Sequence, residues 1–159
     1  MPLKFNIRHL EDRTLHLQGD LGPEELDIGG LDELIHVRKP LEYDLHVEKM
    51  DKSIFVQGRL EVTLECECAR CLKAFEHPLE LGDWACHLPL EGEEAVAISN
   101  DLIDLTPYIR EDIVLAFPQH PLCRPDCKGL ESPHQDPSGG ERESELTSQA
   151  WSELNKLKF

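Results

Sequence analysis

The clearest pattern in the chain is a strict alternation of apolar and polar residues between positions 54 and 67. One face carries Ile54, Val56, Gly58, Leu60, Val62, Leu64 and Cys66, while the other carries Arg59, Glu61, Thr63, Glu65 and Glu67. Such alternation is typical of an antiparallel strand with one buried and one wet face. Tyr43, Leu45 and Val47 alternate in the same way before the polar turn 50–53, which predicts a second strand there.

The segment 75–90 also alternates, but its phase changes along the way. The apolar positions are first odd and then even: Phe75, His77, Leu79 and Leu81, followed by Trp84, Cys86, Leu88 and Leu90. The change near Gly82 predicts a β-bulge. Cys68 and Cys71 lie between the two long strands and are expected in the tight turn of a hairpin. Cys66 and Cys86 fall on inward positions, where a free cysteine packs as a small apolar residue.

The remaining pattern predicts short strands near Phe5 and Leu15, and a helical turn at 22–26. Thr106 and Pro107 resemble an N-cap followed by proline in the first helical position. Leu105, Ile109, Ile113 and Ala116 recur at helical spacing, which predicts an amphipathic helix over 107–117.

The end of the chain differs in composition from the rest. Residues 131–145 are rich in Ser, Pro, Gly and charge, which predicts a flexible acidic linker, and 146–159 predict a C-terminal helix. The predicted fold class is α+β: a curved antiparallel sheet, open or barrel-like, with one packed helix and the C-terminal helix. The main domain is expected to cover residues 1–130.

The charge balance restricts the class of partner. The 159 residues include 32 acidic and 16 basic side chains, for a net charge of −16. A field of this sign repels a phosphate backbone, so extensive RNA binding is disfavoured unless the few cations cluster. A basic protein partner is the easier interpretation, and an acidic surface that only maintains solubility remains the alternative. The chain has no readable secretion signal and no apolar run of membrane-spanning length, so a cytoplasmic protein without a membrane partner is expected.

Two cysteine pairs are candidate metal ligands. In a reducing cytosol, Cys68 with Cys71 and Cys123 with Cys127 are better explained as ligands or redox groups than as disulfides. Their spacings let both thiolates of each pair reach one structural zinc ion. The alternatives are free packed cysteines and a thiol–disulfide redox pair at Cys68 and Cys71. Glu65 and Glu67 should raise the pKa of those thiols while Arg70 and Lys73 lower it, so disulfide exchange is not expected.

No other constellation indicates catalysis. The sequence has no Gly-rich phosphate loop, no H-E-x-x-H and no G-x-S-x-G. The eight histidines are scattered, and none forms a helical pair with ligand spacing. We therefore expect a binding protein without enzymatic activity or a small-molecule substrate.

The motifs around the cysteines resemble a known family. The segment 68–72 is similar to the C-x-R-C-L of YceD-like proteins, which are grouped as large ribosomal RNA subunit accumulation proteins and as a domain of unknown function. The helix segment 104–118, the L-C-x-x-D-C-K-G-L pattern of 122–130 and the closing segment 151–158 also resemble that family. Many members carry a further C-P-x-C where this chain has Glu131 and His134. If the family's metal is bound by the two pairs that this chain retains, the resemblance implies that the ligands are Cys68, Cys71, Cys123 and Cys127.

The resemblance implies a role in accumulation of large-subunit (23S) ribosomal RNA and in ribosome assembly. Combined with the charge, it favours contact with a basic ribosomal protein or a large-subunit assembly intermediate. Direct contact with rRNA is the alternative, through a cluster of Arg59, Arg70, Lys73, Arg110, Arg124 and Lys128. A metal-free adaptor is a further alternative.

Overall fold

The computed structural model describes residues 2–10 and 14–130. The elements follow in chain order: β1 (Lys4–Asn6), a 3₁₀ turn (Ile7–Leu10), β2 (Leu15–Leu21), α1 (Pro23–Leu26), β3 (Ile35–His36), β4 (Leu41–Met50), β5 (Ser53–Glu67), β6 (Ala74–Pro89), β7 (Leu102–Asp104) and α2 (Thr106–Leu115). Outside the described residues lie the predicted linker 131–145 and the predicted C-terminal helix 146–159. Glu131 and His134, where many members of the resembling family carry cysteine, fall in the same undescribed part.

The chain divides into two units, Met1–Cys127 and Lys128–Phe159, and all these elements belong to the first. Among the described residues, no helix combines the length and the apolarity needed to cross a membrane.

The main sheet is antiparallel and strongly curled, which confirms the predicted α+β class with a curved sheet. Strand β5 is its centre: β4 and β3 pair with one edge of β5, and β6 pairs with the other edge from Ser53 to Glu67. Strand β2 extends the sheet beyond β4, and β1 forms a separate two-stranded ladder with β7. The short strands predicted near Phe5 and Leu15 correspond to β1 and β2.

The core lies against the inward face of this sheet. The apolar positions of the β5 alternation are the ones that are buried, with Ile54, Val56, Leu60 and Leu64 fully enclosed. Ile109 and Ile113 of α2 belong to the same core. Each large aliphatic side chain buried in this way contributes roughly 1.5–3 kcal/mol. The period-two pattern therefore correctly identified both the strand and its buried face.

The bulge lies where the phase of the β6 pattern changes. Gly58 is opposite Trp84 and Leu60 is opposite Leu81, so Arg59 faces two residues of β6, 82 and 83. This confirms the bulge predicted near Gly82. On the other side of β5, Gly58 has a φ of +156° and lies against β4, where an added Cβ would be 2.1 Å from the carbonyl oxygen of Asp44.

The start of α2 differs in detail from the prediction. The helix begins at Thr106 itself, and the capping acceptor is Asp104, whose Oδ1 accepts a hydrogen bond from the Thr106 amide at 2.9 Å. The Thr106 hydroxyl oxygen instead accepts the amide of Leu3 at 2.8 Å, in a buried contact across 103 residues. The helix ends at Leu115, two residues earlier than predicted, and Asp112 accepts a 2.6 Å hydrogen bond from the Trp84 indole.

Candidate metal centre

The first cysteine pair lies in the connection between β5 and β6, as expected. The amide of Cys68 donates to the carbonyl of Lys73 at 2.9 Å, and the amide of Leu72 donates to the carbonyl of Cys68 at 2.9 Å. Leu72 adopts a positive φ of 59° to close the turn. The backbone therefore folds back on itself and holds both cysteines at one end of the long hairpin.

The second pair lies in the segment after α2, which is bonded to the hairpin turn. The amide of Ala69 donates to the carbonyl of Pro121 at 2.8 Å, and the Arg70 guanidinium donates to the carbonyl of Cys127 at 2.8 Å. The amide of Cys127 donates to the carbonyl of Arg124 at 3.2 Å, which forms a second tight turn. Two segments about fifty residues apart in sequence are thus joined by hydrogen bonds that do not involve sulfur.

These contacts bring the four predicted cysteines into one cluster. The Sγ atoms of Cys68 and Cys127 are 3.7 Å apart, those of Cys71 and Cys123 are 3.6 Å apart, and all four lie within 4.8 Å of one another. A disulfide would need about 2.05 Å, so these are free thiols. Four thiolates about 2.3 Å from a tetrahedral zinc ion would be separated by roughly 3.8 Å. The cluster therefore has the donor type, donor number and spacing that could hold a metal ion.

The surroundings of the cluster shift the pKa values of two of its thiols, Cys68 and Cys123, in opposite directions. Hydrogen bonds from the backbone amide of Cys123, and then from the amides of Cys71 and Arg70, lower the pKa of Cys68 to about 6. Desolvation, with the neighbouring thiols of Cys71, Cys68 and Cys127, raises the pKa of Cys123 to about 12. The direction at Cys68 is opposite to the one expected from Glu65 and Glu67, because amides aimed at the sulfur dominate. The amides stabilise the negative charge of one thiolate, whereas four thiolates together would repel one another. A bound cation would neutralise that repulsion.

The other two cysteines are separate from this cluster. Cys66 is buried in the core, where desolvation and the charge of Asp32 raise its pKa. Desolvation and the charge of Asp112 raise the pKa of Cys86 to about 11. Both favour the neutral thiol, which matches their expected role as packing residues.

The six candidate cations do not all lie in one place. Arg70, Lys73 and Arg124 belong to the two segments that carry the thiols, and all three are exposed. Arg59 pairs with Glu61 and, at 3.0 Å, with Glu80 on the outer face of the sheet. The path along β5 from Arg59 to Cys68 is roughly 30 Å.

The remaining two cations lie elsewhere. Arg110 donates to the carbonyl of Asp27 at 3.2 Å, after α1. Lys128 belongs to the unit that follows. The structure therefore places three of the six candidates on the two segments that meet at the thiols.

A second group of ligand-type residues, which was not predicted from the sequence, lies on the wet face of the sheet. The ligand atoms of His16, Asp44 and His46 lie within 4.8 Å of one another. His16 pairs with His46 across β2 and β4, a register that alternation alone does not define. The only signal in the sequence is that all three occupy outward positions of their strands.

Together these features define a small β-sheet protein with a four-thiol cluster where a hairpin end meets the segment after a helix. The sequence model of the family described as large ribosomal RNA subunit accumulation protein YceD matches residues 56–158, a range that includes all four cysteines. The chain belongs to the YceD family.

Mycobacterial relatives extend the comparison. Uncharacterized proteins of Mycobacterium tuberculosis and Mycobacterium bovis are each 32% identical in an alignment of length 127 that covers 74% of this chain and 57% of the relative. An uncharacterized protein of Mycobacterium leprae is 28% identical in an alignment of length 103 that covers 57% of this chain and 46% of the relative. The chain thus spans about half the length of these relatives. No solved structure matches.

Proposed function

We propose that this protein is a zinc-stabilised, non-enzymatic factor in large-subunit ribosomal RNA accumulation that acts in the cytoplasm by binding a basic ribosomal protein or assembly intermediate. Family membership supports the ribosomal role. The observation that carries the zinc assignment is the convergence of four free thiols at S–S distances of 3.6 and 3.7 Å. The net charge of −16 supports a basic partner.

Cys68, Cys71, Cys123 and Cys127 would hold the zinc ion. A site with four protein ligands leaves no open position for substrate, which supports a structural role. The ion would join the hairpin end to the segment after α2, where two hydrogen bonds to backbone carbonyls already align the two segments. Binding energy of this kind adds directly to folding energy.

Metal content tests the zinc assignment. The tag-free protein, purified without chelator, should contain one zinc ion per chain, and Cys68→Ser with Cys127→Ser should lose it. Cys86→Ala is the matched control, because it removes a thiol outside the cluster and should keep the metal. Zinc-free wild-type protein, or full zinc content in the double variant, would contradict the assignment and favour the metal-free adaptor.

Salt-dependent co-purification tests the partner. Binding driven by the acidic surface should retain a ribosomal partner at low ionic strength and lose it progressively as salt screens the charges. The absence of any ribosomal component at low salt would count against the proposed partner.

Direct rRNA contact is the second candidate, because the exposed cations Arg70, Lys73 and Arg124 lie on the two segments that meet at the thiol cluster. If this surface binds RNA, Lys73→Glu with Arg124→Glu should weaken binding across all RNA sequences and reduce its salt dependence. Lys52→Glu, at the opposite end of the hairpin, is the control and should have no such effect. Unchanged RNA binding in the double variant would eliminate this candidate.

A thiol redox activity of Cys68 and Cys71 is the remaining alternative. The sulfurs pair closely as Cys68 with Cys127 and Cys71 with Cys123, whereas a redox motif would have to oxidise Cys68 and Cys71 together. Mass spectrometry after mild oxidation of the metal-free chain distinguishes a redox pair from a set of metal ligands, because it shows which cysteines become linked. A Cys68–Cys71 disulfide that forms and is reduced reversibly would favour the redox alternative.

A further inference from the structure

The wet face of the main sheet carries a compact group of nitrogen and oxygen ligands away from the thiol cluster. His16 on β2 and His46 on β4 are direct cross-strand partners, and Asp44 lies two residues from His46 on the same face of β4. One ligand atom from each lies within 4.8 Å of the other two. From this juxtaposition we propose that His16, Asp44 and His46 form a second metal site, which binds a divalent transition-metal ion such as Ni²⁺, Cu²⁺ or Zn²⁺.

The side-chain geometry favours convergence on a single ion. The Nε2 atom of His16 is 2.6 Å from Oδ1 of Asp44, and the two imidazole rings stack with centroids 4.6 Å apart and an interplanar angle of 22°. A metal ion bound at about 2.0–2.2 Å to nitrogen and oxygen places neighbouring donor atoms roughly 2.8–3.6 Å apart, depending on whether its geometry is octahedral or tetrahedral. The side chains of His16 and Asp44 are about half exposed, so small rotations open their contact to that spacing.

A plain histidine–carboxylate hydrogen bond does not account for the whole group. Such a surface pair contributes about 0–1 kcal/mol and needs only one histidine. The second imidazole stacks on the first, which places a second nitrogen donor beside the same carboxylate. Two imidazoles with one carboxylate form the donor set of borderline transition metals, whereas Mg²⁺ and Ca²⁺ prefer oxygen ligands alone.

The surroundings suit a cation that keeps open coordination positions. The seven residue pairs of the β2–β4 ladder fix the backbone on which all three ligands stand. Three protein ligands leave room for water or for a donor group from another molecule. A recess of about 260 Å³ adjoins His46 and is also lined by Gln57 and Asp83, whose carboxylate adds to the negative field.

This site is independent of the thiol cluster and of the proposed ribosomal role. The path along β5 from Gln57, the partner of His46, to Cys68 is roughly 35 Å. The two donor sets also differ in chemistry, because one is all sulfur and the other is nitrogen and oxygen. Loss of either site should therefore leave the other intact.

The test uses the full chain without a histidine tag, to which one equivalent of zinc is added for the thiols before unbound zinc is removed. Ni²⁺ is then added and followed by calorimetry and by paramagnetic broadening of amide NMR signals. We expect one equivalent of Ni²⁺ to bind and to broaden the amides of β2 and β4 around Leu17 and Leu45. His16→Gln with His46→Gln should weaken binding by at least about tenfold.

His87→Gln is the matched control, because His87 is an exposed histidine on β6 outside the group. It should bind Ni²⁺ like the wild type, and thermal unfolding confirms that each variant is folded. The proposal is overturned if the wild type binds no Ni²⁺, if the double variant retains the wild-type affinity, or if the broadening centres on residues 68–73 instead.

Discussion

At the scale of single residues, the Asp112 carboxylate at the edge of the core acts on two neighbouring side chains, Trp84 and Cys86. Trp84 is buried, and its indole nitrogen donates to the Asp112 carboxylate at 2.6 Å, which ties β6 to α2. The same carboxylate contributes to the raised pKa of Cys86 and therefore favours its neutral thiol. Asp112 thus couples a structural hydrogen bond to a titrating group.

Removing the indole donor should destabilise the fold. Trp84→Phe deletes a hydrogen bond to a charged acceptor, worth about 1.5–3 kcal/mol, and reduces buried volume. Asp112→Asn should cost less, because the amide oxygen can still accept from the indole. Urea denaturation of both variants measures the difference. A larger loss in Asp112→Asn than in Trp84→Phe would contradict this order.

Cys86 should make the protein less stable in alkali. Its folded pKa, about 11, is above the ordinary value of 9.0, so the folded state favours the protonated thiol. The resulting stabilisation is complete below about pH 9 and is lost as the pH rises from 9 to 11. Urea midpoints between pH 8 and pH 11 should fall more steeply in the wild type than in Cys86→Ala. Parallel curves would show that Cys86 does not contribute.

At the scale of elements, the sequence predicted what depends on local periodicity. The alternation of β5 and the phase change of β6 defined two long strands, their buried faces and the bulge at residues 82–83. The two cysteine pairs were recognisable because each spacing is local, and the need for four ligands predicted their convergence, whereas the hydrogen bonds that join the two segments were not predictable.

Contacts that depend on long-range register were not predictable. The Thr106–Leu3 hydrogen bond, the β1–β7 ladder and the His16–His46 stack all join distant segments. The amides aimed at the Cys68 sulfur were also missed, because their direction is decided by backbone geometry within the turn.

Gly58 should be essential for the close approach of β4 and β5. A Cβ at this position would overlap the carbonyl oxygen of Asp44 and strain a positive φ, so Gly58→Ala should cost several kcal/mol, at the upper end for point mutations. Gly82→Ala is the matched control in the same bulge, since its nearest neighbour is the tip of the Glu80 side chain at 3.7 Å. Calorimetric melting of both variants tests the difference, and equal melting temperatures would contradict it.

At the scale of the whole unit, the sheet and the thiol cluster are stabilised in different ways. The main sheet rests on a continuous apolar core, whereas the segment around Cys123 and Cys127 is joined to the hairpin by a few hydrogen bonds and by the sulfurs. Local stability should therefore differ between the two regions.

Metal removal should loosen one end of the unit and leave the sheet intact. After chelation, hydrogen exchange should accelerate at the amides of Ala69 and Cys127, while the β4–β5 ladder around Leu45 and Val56 stays protected. Hydrogen exchange followed by mass spectrometry or NMR measures both regions in one sample. Uniform acceleration through the sheet would instead indicate that the metal is required for global folding.

The position of β6 also has a consequence for behaviour at high concentration. In the part of the chain that the structure describes, β6 pairs only with β5, which leaves a sixteen-residue strand with a free edge. A long free edge is a template for cross-β aggregation, but Pro78 lacks an amide donor, the bulge interrupts the repeat, and the ion pairs of Glu76 with Lys39 and of Glu80 with Arg59 place charged groups on the strand. The proline, the bulge and the charged side chains of β6 should therefore hinder the pairing of this edge with the edge of another molecule.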